Sequence, residues 1–532
     1  MITLLDYGAG NVRSVRNAIK KLGFTVKNVQ SPADINAADK LVFPGVGSFG
    51  SAMGRLRELG YLSPLLTYLK ADRPFLGICL GLQTLFEGSA ESPGVSGLGI
   101  IPGQVDRFIC ANQDLSIPQI GWNGINIRKT SPIFANYYAE KLYFVHSFRA
   151  TQNSANKDWL LSTTNYGEEF TSAVQKGNVI ATQFHPEKSG AAGLNILNNF
   201  LKAECLASTG KIEISSDSKT RLAKRIIACL DVRSNDSGDL VVTKGDQYDV
   251  RESGEVRNLG KPVELASRYF AEGADEITFL NITGFRDFPL KDQPMLEVLK
   301  RTSEQVFVPL TIGGGIRDFT AGDGTSYTAL DVAAEYFRSG ADKISIGSDA
   351  VYTAEEYIKN NRQAQPNAIS QIAHIYGNQA VVISVDPRRV YVNAPDEVHH
   401  TIKTSNPGPA GEEYCWYQCT VKGGREGRDI DALTLAQVCQ ELGAGEILLN
   451  CIDRDGTNQG FDLELINLLR NNISIPVIAS SGAGCPEHFG QVFTKTNAEA
   501  ALAAGIFHRR EVSISAVKTY LLKEGVEIRS VS

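Results

Sequence analysis

The stretch Pro74–Gly81, PFLGICLG, reads as the end of a buried strand running into a helix, with Cys79 at the corner. Phe75, Leu76 and Ile78 form the apolar strand, and Leu80, Leu82, Thr84 and Leu85 continue at helical spacing. A strand that turns sharply into a helix strains its corner residue. Gly77 and Gly81, flanking the cysteine, keep that corner free of clashes. This is the logic of a nucleophile elbow, with Cys in place of Ser. A thiol at a helix N-terminus also feels the helix dipole, which favours the reactive thiolate. The plain alternative is a structural cysteine, since free Cys is among the most buried residue types.

Outward from the elbow, strands at Ile2–Asp6, Val26–Val29 and Leu41–Phe43 alternate with helical segments, which predicts an open parallel sheet with helices on both faces. The strand at Leu41–Phe43 runs into the small-residue loop Pro44–Gly50, whose backbone N–H groups can approach an oxyanion closely. A strand at Lys141–Val145 leads into His146-Ser147-Phe148. Another, at Val179–Phe184, ends in His185-Pro186-Glu187, where the proline fixes the turn. A histidine followed by a carboxylate suits a base and the group that orients it. Pro44–Gly47, Gly77–Gly81 and His185–Glu187 together resemble the class I, triad-type glutamine amidotransferases. The resemblance implies that Cys79 attacks the glutamine side-chain amide to give a γ-glutamyl thioester. His185 would be base and then acid, and Glu187 would orient it. It further implies oxyanion donors at Val46, Gly47 and Leu80, with Gln83 lining the glutamine pocket.

The composition is that of an ordinary cored protein: 532 residues, 42% hydrophobic, net charge −6. Slight acidity and the lack of any Lys/Arg run argue against nucleic acid as a partner. The nine cysteines are odd in number and scattered, which predicts reduced thiols in a cytoplasmic protein and neither a disulfide framework nor a zinc site. No apolar run is long enough to span a bilayer, and Met1 leads straight into an apolar strand without a basic leader. Leu206–Thr220 is polar, rich in small residues and without a clear period. It predicts a linker at 206–221 between a unit at 1–205 and a second at 222–532.

The second unit carries short apolar strands at wide intervals and an internal repeat. Ile226–Asp231 (IIACLD) corresponds to Val381–Asp386 (VVISVD), Gly273–Asn281 to Gly443–Asn450, and Val308–Gly315 to Ile475–Gly482. Ile344–Ser348 pairs more weakly with Ala501–Gly505. Four strand units occurring twice predict a (βα)₈ barrel made of two half-barrels, with active residues at the C-terminal strand ends. Asp231 and Asp386 then face each other across the mouth as a candidate acid and base. Gly313–Gly315 with Gly347 and Ser348 predicts one phosphate cradle. Gly456, Gly482, Ala504 and Gly505 predict another opposite it. Lys244 is placed to reach a substrate held between them.

Arg225–Asp231, Gly313–Ile316 and Asp453–Thr457 resemble the cyclases of the imidazole glycerol phosphate synthase family. The resemblance implies that Asp386 and Asp231 are the acid/base pair and that Asp455 binds substrate. It implies a doubly phosphorylated acceptor, phosphoribulosylformimino-aminoimidazole carboxamide ribotide. The products would be imidazole glycerol phosphate and aminoimidazole carboxamide ribotide, in histidine biosynthesis. It also implies ammonia passing through the barrel from below. Asn281 and Gly347 depart from residues usual in the separate cyclases. The linker, and insertions at Phe319–Tyr327 and Tyr391–Glu413, match the fused form of fungi and plants. Arg225, Glu276, Lys343 and Glu446 all fall at strand starts, which predicts a charged ring that both stabilises the barrel floor and gates ammonia. No metal or organic cofactor is implied, and both activities are expected in one monomeric chain. The rival readings are an amidotransferase serving another barrel synthase, a scaffold without activity, and a sugar-phosphate isomerase barrel.

Overall fold

The computed structural model describes all residues except 9, 110–114, 204–219, 236–238, 244–250, 253–254, 257, 283–289, 364 and 531–532. Nearly all of the expected linker, and Lys244, lie outside the described residues.

Five parallel strands form the centre of the first unit, in the order Val26–Asn28, Ile2–Leu4, Lys40–Gly45, Phe75–Cys79 and Val179–Thr182. Strand alternation separates two cores. Leu76 and Ile78 pack with Val15, Ile19 and Phe200 on one face, while Phe75 packs with Phe49, Leu56 and Tyr68 on the other. Beyond Val179–Thr182 the sheet continues with antiparallel strands, beginning at Glu168–Lys176. The sheet is therefore mixed, not wholly parallel. Hairpin connections such as the one at Gly177 need no crossover helix, so helix-strand alternation carries no trace of them.

The second unit closes into an eight-stranded parallel barrel: Arg225–Ser234, Glu276–Asn281, Leu310–Gly313, Lys343–Ile346, Val381–Val385, Glu446–Asn450, Val477–Ser480 and Ala500–Ala503. Pairing of the first strand with the last completes it. Leu240–Thr243 is a strand but not a stave; it pairs antiparallel with the upper part of the first strand. The insertion around Phe319 folds as a two-stranded hairpin. The region from Pro387 to Asp431 forms a four-stranded antiparallel sheet.

The period of two along each stave sorts its side chains. Ile226, Ala228 and Leu230 join the outer core beneath the helices, whereas Ile227 and Cys229 pack inside with Val382, Leu448, Ile478 and Leu502. Arg225 and Asp231 share the phase of Ile227, so one strand presents a charge at the floor, apolar packing in the middle and a carboxylate near the top.

The first unit sits against the floor of the barrel. Trp122 Nε1 donates to Asp275 O (3.1 Å), and Gly190 N donates to Phe307 O (3.1 Å). Ser48 N donates to Ile375 O (3.2 Å), and Ser116 Oγ donates to Glu499 Oε1 (2.6 Å). Asp275, Phe307 and Glu499 lie just before the N-terminal ends of staves, and Ile375 lies in the last turn of the helix that leads into the fifth.

Candidate active site

Cys79 has φ +54° and ψ −104° and caps the short helix Leu80–Gln83. For a residue with a side chain this left-handed conformation costs on the order of 1–3 kcal/mol, so its surroundings must impose it. They do. A Cβ on Gly81 would lie 2.2 Å from Phe43 O, and one on Gly77 would lie 2.6 Å from Gly81 O. Only glycine lets the elbow pack against the strand Lys40–Gly45.

Pro186–Lys188 is a single 3₁₀ turn beyond the strand Val179–Thr182. It brings His185 Nδ1 to 2.9 Å from Glu187 Oε1, with both side chains buried. Burial by itself disfavours the imidazolium, but the charges of Cys79 and Glu187 outweigh it and hold the His185 pKa well above its ordinary value. The arrangement can therefore keep a proton on the imidazole beside the sulfur, ready for a leaving group. His146, by contrast, is pushed down to about 3 by burial and is neutral. Its Nδ1 lies 2.7 Å from Phe148 O, an acceptor only, so Nδ1 carries the hydrogen.

Val46, Gly47, Leu80 and Gln83 border one cavity with Cys79 and His185. The Val46 carbonyl accepts from Tyr7 Oη (3.1 Å), which anchors the loop. Gln83 Nε2 donates to Phe148 O at 3.0 Å. The cavity, of about 50 Å³, reaches the barrel floor, where Asp342, Lys343 and Tyr376 line it. Space for a small molecule thus extends from the sulfur side to the lysine of the charged ring.

The ring is closed. Arg225 bonds Glu276 (2.9 Å) and Glu446, and Lys343 bonds Glu276 (2.7 Å) and Glu446 (2.6 Å). All four side chains are 0% exposed. Thr311 Oγ1 adds a hydrogen bond to Glu276 at 2.6 Å. Burial opposes charge on Glu446, but Arg225 and Lys343 overcome it and hold its carboxyl below the ordinary range. Tyr143 hangs over the ring from the first unit with its hydroxyl buried, and burial first, then Glu276, raise its pKa well above the usual value. Lys188 pairs with Asp342 at 2.7 Å, and Asn11 Nδ2 donates to the same carboxylate at 2.8 Å, tying the two units at the cavity's edge.

At the barrel mouth, Asp386 Oδ1 accepts from Asn450 Nδ2 (2.8 Å) and Ser384 Oγ (3.2 Å). Burial raises its pKa against these bonds, with the nearby charge of Asp455 adding to the rise. Asp231 lies within the long first stave, opposite Thr243 and Leu280 in register, not at its end. Gly315 follows the third stave, Gly347 caps the helix after the fourth, Gly482 follows the seventh, and Ala504 caps the turn beginning at Gly505 after the eighth. These positions fall in two groups on opposite sides of the closed ring of strands, with Gly456 in the loop after the sixth. The Ser348 hydroxyl accepts from Lys422 N at 3.0 Å, so the antiparallel sheet beside the mouth already engages it. Among the described residues, no cluster of three or more His, Cys, Asp or Glu is arranged to hold a metal ion.

Sequence reasoning missed Tyr143, Lys188, Asp342, Asn11 and Asn450. Lys188 directly follows the His-Pro-Glu motif and Asp342 directly precedes a ring lysine, which is the one signal that pointed to them.

Comparison with known proteins agrees with this geometry in both halves. Residues 3–203 match the family of class I glutamine amidotransferases, and residues 225–513 match that of histidine biosynthesis proteins. The chain is 60% identical to the chloroplastic imidazole glycerol phosphate synthase hisHF of Arabidopsis thaliana, over 99% of this chain and 89% of the relative. It is 54% identical to the hisHF of Schizosaccharomyces pombe over the full length of both. The HisF subunit of Methanothermobacter thermautotrophicus is 42% identical over 58% of this chain and 99% of its own. The chain therefore belongs to the imidazole glycerol phosphate synthase family, in the fused form that joins a glutamine amidotransferase to a cyclase barrel in a single bifunctional enzyme.

Proposed function

We propose that the chain hydrolyses glutamine at Cys79 and delivers the ammonia through the barrel to a doubly phosphorylated acceptor at its mouth. The acceptor is phosphoribulosylformimino-aminoimidazole carboxamide ribotide, and the products are imidazole glycerol phosphate and aminoimidazole carboxamide ribotide. The observation that carries this reading is the cavity joining Cys79 and His185 to Lys343 on the barrel floor.

Cys79 attacks the side-chain carbonyl carbon of glutamine, and backbone groups of Val46, Gly47 and Leu80 meet the oxyanion. His185, held by Glu187, gives its proton to the leaving nitrogen and then takes one from the water that hydrolyses the thioester. Free ammonia in neutral water is mostly ammonium, which has no lone pair to react, so a dry route preserves the nucleophile. Arg225, Glu276, Lys343 and Glu446 gate the entrance. At the mouth Asp386, whose carboxyl burial pushes up, serves as the acid and Asp231 as the base. Asp455 binds the acceptor, and the two glycine groups seat its phosphates, with Lys244 between them. The working units are 1–205 and 222–532 joined by 206–221, in a cytoplasmic monomer.

Mass balance tests the reading. Purified protein should form glutamate and imidazole product in equal amounts. Cys79→Ala should lose synthesis from glutamine and keep synthesis from ammonium salts. Glutamate accumulating without product in the intact protein, with acceptor present, would refute it.

A further inference from the structure

Beside Cys79 lies a polar side chain that the thiol-histidine-carboxylate scheme does not use. Gln183 Nε2 is 3.4 Å from Cys79 Sγ, and Gln183 is fully buried. An amide has an oxygen end and a nitrogen end, so the question is which faces the sulfur. The neighbours settle it. The carbonyl of Phe148 can only accept, so the Gln83 atom bonded to it at 3.0 Å is the nitrogen. That same nitrogen donates to Gln183 at 3.2 Å, which must therefore present Oε1. The opposite end of the Gln183 amide, with its N–H, is left pointing at Cys79. A chain of one-way bonds from a backbone carbonyl thus fixes a donor on the nucleophile.

We propose that Gln183 is a further catalytic residue of the glutaminase site, donating an N–H hydrogen bond to the Cys79 sulfur, with Gln83 holding its amide in the donating orientation. This rests on the reading of Cys79 as the nucleophile. The donor matters because the thiolate must survive in a buried site between its loss of a proton and its attack on the amide carbon. Burial disfavours a bare sulfur anion, and hydrogen bonds to charged acceptors are roughly twice as strong as neutral ones. His185 supplies charge to the same sulfur, but a proton shared with His185 must leave for the departing ammonia. The amide N–H of Gln183 does not titrate and stays through the whole cycle. It holds the thiolate again when the thioester breaks and the sulfur departs as the leaving group.

The test is alkylation of Cys79 by iodoacetamide in the full-length protein, followed by mass spectrometry, beside glutaminase turnover. Gln183→Met keeps the volume and removes the donor; Gln183→Glu places a carboxylate against the sulfur. Methionine should slow both alkylation and turnover at neutral pH by about ten-fold, the scale of one charge-assisted hydrogen bond, and glutamate should slow them further. The deficit of the methionine variant should shrink in alkaline buffer, where the thiolate forms without help. A role in packing alone would lower the unfolding midpoint without any pH-dependent change in alkylation. Gln83→Met, which frees the Gln183 amide to rotate, should give a smaller loss of the same kind and carries the test if both Gln183 variants fail to fold. Alkylation at the wild-type rate in Gln183→Met, or in Gln83→Met should only that variant fold, would overturn the proposal. If alkylating Cys79 left glutaminase turnover intact, the nucleophile assignment itself would be wrong, and that outcome is read separately in the unmutated protein.

Discussion

Lys343 Nζ lies 2.6 Å from Glu446 Oε2, and neither side chain has any exposed surface. Two glutamates and two basic side chains alternate in that ring with the charges balanced. Removing Lys343 leaves two buried glutamates sharing Arg225 alone, and the uncompensated buried charge costs ~3–5 kcal/mol. Lys343→Ala should therefore lower stability measurably and uncouple the two reactions, because the floor of the barrel no longer closes. Comparing glutamate with imidazole product reads this directly. An excess of glutamate is expected, and equal yields would reduce the ring to a structural role.

Asp342 receives both Lys188 and Asn11 from the first unit. Asp342→Ala strands the Lys188 ammonium, which is only 2% exposed, at the interface. Truncating one partner of such a pair costs ~2–5 kcal/mol. The expected outcome is a looser interface and partial loss of coupling, with glutamine hydrolysis continuing. Hydrogen exchange at residues 340–342 and 188–190 should rise in the variant; unchanged protection would argue against a latch.

Asp386 offers a prediction in which stability and function part. Its carboxyl holds its proton more tightly in the folded protein than in the unfolded chain. Between the ordinary carboxylate pKa and the raised one, the folded state binds more protons, so this group's contribution to stability falls as pH rises through that window. Asp386→Asn removes the half-buried charge and keeps an oxygen for Asn450 to donate to. The variant should melt higher than the wild type at neutral pH, with the gap closing toward ~pH 4. It should also hydrolyse glutamine and make no imidazole product. A variant no more stable than the wild type at any pH would contradict the burial argument.

Gly81→Ala drives a methyl group to 2.2 Å from Phe43 O, a backbone atom that cannot step aside. Overpacking of this kind costs typically 1–3 kcal/mol. The elbow should shift, and glutaminase turnover should fall by at least an order of magnitude while ammonium-driven synthesis persists. Normal glutaminase turnover would mean that the strained corner is not needed.

How much of this was legible in the sequence depends on range. The elbow around Cys79 is local sterics written in glycines. The barrel is legible because the half-barrel repeat lines up Asp231 with Asp386, and the ring because its four members all begin staves. The antiparallel extension of the first sheet leaves no helical punctuation, and its strands at Leu160–Tyr166 and Glu168–Lys176 go unmarked in the sequence reading. Asn11 and Asp342 meet across 331 residues, and Gln183 meets Cys79 across 104. Such pairings depend on how finished surfaces dock or how strands neighbour one another, and no residue pattern announces them. Asn450 was missed for another reason. Its role follows from its phase on the sixth stave, which points its side chain inward at Asp386, and phase is known only once the stave's limits are known.

The proposed route carries nitrogen from Cys79 to the barrel mouth without mixing with bulk water. Glutamine labelled in its amide nitrogen should be supplied with the acceptor at neutral pH, in the presence of a large excess of unlabelled ammonium. Mass spectrometry of the imidazole product then reads the route. Retention of nearly all the label is the predicted result; label diluted in proportion to the ammonium pool would contradict the internal passage.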